Sequence, residues 1–405
     1  MNKFLPLTSC LLLSFSVLLT AQEDKATPPG LGDPGALQSI DIDNVDDNQT
    51  TIISGRDAGL QVIVTGNYDS GQHRDLTRDV VYSSAPTGFV EVSSSGFVSP
   101  IAEGAVVITA KFDGKLSTTV SIQVTNIVKD LAVNFPNEVT PVFTKFGCNG
   151  GGCHGKSSGQ NGFRLSLLGF EPEEDYEFLV KEGRGRRVFP AAPERSLLLQ
   201  KAVGVVPHGG GARLSGDSPS YRLLSRWIEQ GMPYGQPEDP TVTRIVVLPE
   251  ERLMQRDGAQ QISVFAYFSD GSMRDVTRTT AFDSNSTEMA EVNETGLVTT
   301  SQLTGSVAVM ARYQGHVGVY RATIPLGIKV DALPKKNNFV DDLVFNKLVQ
   351  LGLPSSVVSE DAVFLRRVTV DIAGRLPTLG EAQTFLEDAD PDKRLKRIDQ
   401  LLAST

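Results

Sequence analysis

The 405-residue sequence is poor in cysteine, histidine and tryptophan, with three, four and one of each. So few cysteines exclude a disulfide-framework fold, whose small domains need several bridges. Any imidazole-based site must draw on His73, His154, His208 and His316. Positive charge is also short. Lys and Arg number 38 against 48 Asp and Glu, a formal net charge of -10. That excludes non-specific nucleic-acid binding, which needs basic surface to displace counterions from phosphates. Beyond the N-terminus no apolar run approaches a membrane span. The glycine run Gly209-Gly210-Gly211 lacks the Lys-Ser/Thr of a phosphate loop. No Ser/His/Asp set or paired-carboxylate signature stands out.

What is present begins with an export signal. Lys3 precedes the uncharged, mostly apolar stretch Phe4–Thr20, and Ala21 is a small residue suited to cleavage. Residues 1–21 therefore read as a signal peptide, which places the protein in the periplasm or at the cell surface. Two rival readings are a lipobox at Leu7-Thr8-Ser9-Cys10 and an uncleaved anchor, for which the stretch is short. Once the signal is removed, no transmembrane span is expected, and Cys148 and Cys153 are the remaining cysteines. In an oxidising compartment they should be bonded to each other or to something else. Residues 22–35 are Pro, Gly and charge, the composition of a flexible linker.

An internal repeat organises the chain. Arg74-Asp75-Leu76-Thr77-Arg78 recurs 200 residues later as Arg274-Asp275-Val276-Thr277-Arg278. Glu91-Val92 and Gly96-Phe97-Val98 recur as Glu291-Val292 and Gly296-Leu297-Val298. Gly104 and Gly114 recur as Gly305 and Gly315, one residue out of phase. Apolar residues alternate at Val62, Val64 and Tyr68, and again at Ile262, Val264 and Phe268, as in half-buried strands. Each copy predicts a small β-sandwich, over residues 36–126 and 241–327.

Residues 127–240 change character. Leu223, Leu224, Trp227 and Ile228 mark one face of a helix. The chemistry lies in Cys148-Asn149-Gly150-Gly151-Gly152-Cys153-His154. Covalent c-type haem needs two thiols for the vinyl groups and an adjacent imidazole as proximal iron ligand. The spacer here is four residues where two are usual, and its three glycines permit the bend. Three readings stand: haem c with iron held by His154; a Cys148–Cys153 disulfide; and a zinc site using Cys148, Cys153, His154 and His208, since zinc takes four ligands. His208 and Met232 are the candidates for a second axial ligand. The basic run Gly183-Arg184-Gly185-Arg186-Arg187 is either a solvated loop or a partner for haem propionates.

Residues 335–405 read as helical. Val340, Leu343, Val344, Leu348 and Leu351 form one apolar face. Thr378 and Glu381 form a capping box, and Asp390-Pro391 opens a last helix. Such a piece has little core of its own, so the 405 residues are expected to be part of something longer.

Three resemblances follow from these residues. The RDLT/RDVT strands and the EV…G(F/L)V pattern resemble group 2 bacterial Ig-like domains, which implies spacer or adhesion modules. Gly147-Cys148-Asn149…Cys153-His154-Gly155, Gly162-Phe163-Arg164-Leu165, Pro193-Glu194-Arg195-Ser196-Leu197-Leu198, Pro207-His208-Gly209-Gly210 and Trp227-Ile228-Glu229-Gln230-Gly231 are similar to planctomycete cytochrome-c-like domains. That resemblance implies a mostly α haem module, with His208 as distal ligand where the family often has Met-Pro. Bis-histidine ligation lowers the potential relative to His/Met. Phe364-Leu365-Arg366-Arg367-Val368 through Thr378 is similar to the opening of the domain of unknown function that follows such cytochromes. The expectation is two all-β sandwiches flanking a haem module, then a helical segment. The function expected is electron transfer with a redox partner, the β modules serving as spacers or binding a surface polysaccharide. The alternatives are a non-redox adhesion protein and part of an envelope enzyme whose catalytic portion lies beyond residue 405.

Overall fold

The computed structural model describes residues 29–45 and 50–404. The signal peptide, with its Cys10 alternative, and linker residues 22–28 lie outside that range. The chain is rich in β-sheet and ends in helices.

The first β module comprises β1 (Leu37–Ile42), β2 (Thr51–Ser54), β3 (Leu60–Gln61), β4 (Val64–Tyr68), β5 (His73–Asp75), β6 (Val81–Ala85), β7 (Val90–Val92), β8 (Phe97–Pro100), β9 (Gly104–Phe112) and β10 (Leu116–Thr125). They pair as β1-β4-β5, β2-β10-β9-β6 and β3-β8-β7. Val106, Ile108 and Ala110 of β9 are buried, as are Val120, Ile122 and Val124 of β10, so the period-2 pattern sets which face is core.

The second module comprises β11 (Val242–Leu248), β12 (Glu251–Leu253), β13 (Ala259–Gln261), β14 (Ser263–Phe268), β15 (Met273–Asp275), β16 (Ala281–Ser284), β17 (Ala290–Val292), β18 (Leu297–Thr300), β19 (Gly305–Tyr313) and β20 (His316–Ile324). Its sheets are β11-β14-β15, β12-β20-β19-β16 and β13-β18-β17, the same pairings strand for strand. The register repeats too. Thr77 Oγ1 accepts from Val64 N–H and Thr277 Oγ1 from Val264 N–H. Gly104 and Gly305 have φ of +153° and +152°. A Cβ on Gly104 would sit 2.2 Å from the Phe89 ring. Gly104→Ala should therefore cost about 1–3 kcal/mol, read as a lowered thermal midpoint of the β signal. Gly114→Ala, in an open turn at φ +70°, should cost less.

The two modules, 200 residues apart in sequence, are docked on each other by reciprocal contacts. Asp275 Oδ2 accepts from Gln61 N–H at 2.6 Å, and Asp75 Oδ2 accepts from Gln261 N–H at 2.5 Å. Arg78 donates to Gln261 Oε1 at 2.8 Å, and Arg278 to Gln61 Oε1 at 3.2 Å. Each glutamine amide also donates inside its own module, Gln61 to the Ser95 carbonyl and Gln261 to that of Thr295. The interface is thus a pseudo-twofold, self-complementary one within a single chain. Phe265 of β14 packs into the first module's core beside residues such as Val62 and Val64. Residues 30–35, expected as free linker, are tied down at several points: Gly30 N–H donates to the Leu326 carbonyl, and Gln72 donates to that of Leu31.

The intervening segment contains four short helices, α1 (Thr140–Lys145), α2 (Pro172–Tyr176), α3 (Leu197–Ala202) and α4 (Pro219–Glu229), joined by tight turns. Its core gathers Phe135, Val139, Val142, Leu179, Leu199, Leu224 and the single tryptophan, Trp227. Trp227 Nε1–H donates to the Pro233 carbonyl at 2.9 Å. Leu223, Leu224, Trp227 and Ile228 of α4 are all buried, as the spacing predicts.

The C-terminal helices are α5 (Phe339–Leu351), α6 (Asp361–Ala373), α7 (Leu379–Glu387) and α8 (Lys393–Ala403). The Thr378–Glu381 capping box is present. α8 starts at Lys393, after an Asp392 cap, because Asp390 Oδ1 holds Asp392 N–H in a turn that keeps Pro391 outside the helix. The expected apolar face of α5 is covered only in part; of the two buried residues Leu351 belongs to it and Phe345 does not. Val340, Leu343 and Val344 are exposed, while Phe345 and Leu351 are buried. No helix among the described residues is long and apolar enough to cross a membrane.

Candidate functional site

The Cys148–His154 loop grows directly from the end of α1. Cys148 N–H donates to the Phe143 carbonyl at 2.8 Å and Gly147 N–H to that of Thr144 at 3.1 Å, so the helix unwinds into the loop without a break in bonding. The four-residue spacer is wound into turns. Cys153 N–H donates to the Gly150 carbonyl, and His154 N–H to the Cys148 carbonyl at 3.0 Å. The extra length is thereby taken up, and His154 returns beside Cys148. Glycine at 155 is obligatory, since a Cβ there would lie 1.9 Å from the Asn149 carbonyl oxygen. Asn149 is buried, and its amide donates to Thr144 Oγ1 at 2.9 Å, pinning the loop to α1.

Cys148 and Cys153 are both free thiols and half-buried. The disulfide considered from sequence is not formed. Burial, with the neighbouring Cys153 adding to it, pushes the Cys148 thiol up to about 11. It is therefore protonated at neutral pH, a weak metal ligand and a slow partner in disulfide exchange.

His154 and His208 face one another. Their rings are parallel within 7°, with centroids 6.3 Å apart. Each ring has its Nδ1 2.9 Å from a backbone carbonyl, that of Phe163 for His154 and that of Gly211 for His208. Those bonds fix the tautomer, with the proton on Nδ1 and the lone pair on Nε2. Burial pushes the His154 imidazole below its ordinary value, which keeps it neutral.

The remaining candidates fall outside this arrangement. Met232 packs on the aromatic core, with its carbonyl accepting from Tyr176 Oη–H at 2.7 Å. His73 and His316 lie on β5 and β20. Among the described residues no three His, Cys, Asp or Glu side chains are grouped to hold a metal, so the four-ligand zinc set is not assembled. Arg187 of the basic run is buried and committed to the backbone. It donates to the carbonyls of Phe178, Glu182 and Gly162, and its guanidinium lies 4.7 Å from the centroid of the Phe163 ring. It clips the loop that presents Phe163 to His154. Arg184 and Arg186 are exposed.

The donor set thus comprises two neighbouring free thiols and two parallel imidazoles with unshared Nε2 lone pairs. These four side chains are the ones available to a covalently attached, iron-bearing cofactor. Cys148 and Cys153 would hold the ring edge, and His154 and His208 the iron.

Comparison with known proteins bears on the rest of the chain. Ice-binding protein 1 of Shewanella frigidimarina (strain NCIMB 400) is 23% identical over 256 residues, 62% of this chain and 25% of that protein. The chain therefore spans about a quarter of that relative's length. Domains 4–9 of surface layer protein SbsC superpose with a TM-score of 0.29 at 12% identity, covering 78% of this chain and 36% of that one. Mouse cadherin-23 EC22-24 gives a TM-score of 0.15 at 11% identity, covering 70% and 64%. Superpositions this loose define no common whole-chain fold. Residues 339–405, the helical segment from α5 onward, match the family PSCyt2, described as "Protein of unknown function (DUF1549)".

Proposed function

We propose that this chain is an exported c-type haem protein that transfers electrons, with haem attached through Cys148 and Cys153 and its iron held between His154 and His208. The observation carrying this reading is the parallel imidazole pair at 6.3 Å. A bound haem supplies one-electron chemistry. The protein's own residues prepare for it. The Phe163 and Gly211 carbonyls orient the rings and raise the basicity of their Nε2 atoms. If both imidazoles hold the iron, a substrate would find no open position on it, which favours electron transfer over peroxidase-type chemistry. The cytochrome-like character of residues 127–240, the periplasmic or surface location and a redox partner all belong to this reading.

The test is expression of the full chain with a haem-c maturation system, followed by denaturation and a pyridine haemochrome spectrum. Covalently retained haem is expected, and its absence overturns the proposal. In the loaded protein, His208→Ala should convert a low-spin spectrum to a high-spin one. An unchanged spectrum removes His208 as ligand.

A second reading has its own support. The β modules make up nearly half of the described chain, and the 256-residue match is to an ice-binding protein. On this reading the chain is a surface or adhesion protein without redox function. Ice-recrystallisation and polysaccharide-binding assays on the haem-free chain separate the two. Binding without haem retention supports the second.

A further inference from the structure

We infer that Lys145 is a positioning residue for the Cys148–His154 loop, and that the second β module is the platform on which the cofactor site is built. This rests on the haem reading for what the loop does, but not for its mechanics.

Lys145 is the last residue of α1, three positions before Cys148. Its half-buried Nζ donates to two backbone carbonyls of the second module, Arg278 at 2.6 Å and Glu294 at 2.8 Å. A surface lysine ordinarily points its charge into water. Here the ammonium is held by two directed dipoles, a geometry that fixes position as well as contributing energy. The start of the same segment is fastened to the same module. Tyr313 Oη–H donates to the Asn137 carbonyl at 2.5 Å, and the Gln314 amide donates to the Pro136 carbonyl and to Asn137 Oδ1. The stretch from Pro136 to Lys145 is therefore bolted to module two at both ends. From it the loop takes two backbone bonds and the Asn149–Thr144 contact. Arg278 completes the line. Its carbonyl receives Lys145, while its guanidinium reaches Gln61 of the first module and lies 4.3 Å from the centroid of the Phe97 ring. One residue thus joins all three modules, and the paired β modules act as a scaffold rather than as passive spacers.

The test uses the haem-free full chain and amide hydrogen exchange. Lys145→Met keeps the aliphatic stem and removes the donors. Exchange at residues 147–155 should accelerate by about tenfold or more, while residues 221–229 of α4 stay protected. Lys145→Arg, which restores donors, should return most of the protection. Tyr313→Phe, at the other bolt, should loosen the same loop to a smaller extent and guards against misfolding of the Met variant. Unchanged loop exchange in both Lys145→Met and Tyr313→Phe overturns the inference. In the haem-loaded chain, Lys145→Met should also shift the reduction potential. If the exchange responds but no haem is ever retained, the platform stands and the haem reading falls.

Discussion

Serine at both Cys148 and Cys153 will abolish covalent haem retention in the full chain, taking the haemochrome signal of the denatured protein from near stoichiometric to none. Thioether attachment requires sulfur at both positions, and no other cysteine lies among the described residues. The change should leave folding almost untouched. Both thiols are half-buried and unbonded, and serine differs by one atom in a loop held by its backbone. Trp227 is the reporter for this. It is fully buried in the module that carries the loop, so its fluorescence unfolding transition should match that of the haem-free parent. In the loaded parent the same fluorescence should be quenched by energy transfer to the porphyrin, and the double variant should lose that quenching. Full haem retention in the double variant contradicts attachment at these cysteines. The single variants are expected to be intermediate, each keeping one thioether.

The sequence made the repeat legible because its signals are local. A turn, an Asp-x-Thr strand entry and alternating apolar residues each report on a few neighbouring positions, and two copies in one register reinforce each other. What the repeated Arg-Asp-x-Thr-Arg does was not legible, because its partners lie 200 residues away. Asp75 and Arg78 cross to Gln261, while Asp275 and Arg278 cross to Gln61. A signal was present: a glutamine recurs at the same register in both copies, beside Val62 and Ile262, which are fully buried. A polar side chain kept twice in a buried strand calls for a fixed partner. Lys145 gave no signal, since its ligands are backbone carbonyls that any sequence supplies. His154 and His208 were both singled out from sequence, but their parallel setting was not legible, because it depends on how the loops at Phe163 and Gly211 turn. On α5 periodicity found Leu351 but missed Phe345, because Val and Leu occupy more than one face and packing selects which of them is covered.

Asp275→Ala should destabilise the joined β modules by about 2–4 kcal/mol, measured by chemical denaturation at neutral pH. The carboxylate accepts from Thr277 N–H at 2.8 Å through Oδ1 and from Gln61 N–H at 2.6 Å through Oδ2. Alanine leaves two enclosed donors without acceptors, each costing about 1–3 kcal/mol. Asparagine should not rescue the loss. It offers one acceptor oxygen, and its NH2 would meet an N–H at the other position. Adding Asp75→Ala should cost less than it does alone, because both groups close the same interface and the second has little left to hold once the first is gone. Full additivity would mean that the two halves of the clasp act independently. The pH dependence has a definite sign. Burial pushes the Asp275 carboxyl up to about 6 from an ordinary value of 3.8, and raises Asp75 for the same reason, with Arg278 and Arg78 offsetting only part. Folding therefore takes up protons between about pH 4 and 6, and the stabilisation from these groups is greatest at the acid end and declines as pH rises through that window. The gap in stability between the parent and Asp275→Ala should accordingly be wider at pH 4 than at pH 7. A gap that widens with rising pH would place the ionised carboxylate, rather than the buried acid, as the form the clasp prefers.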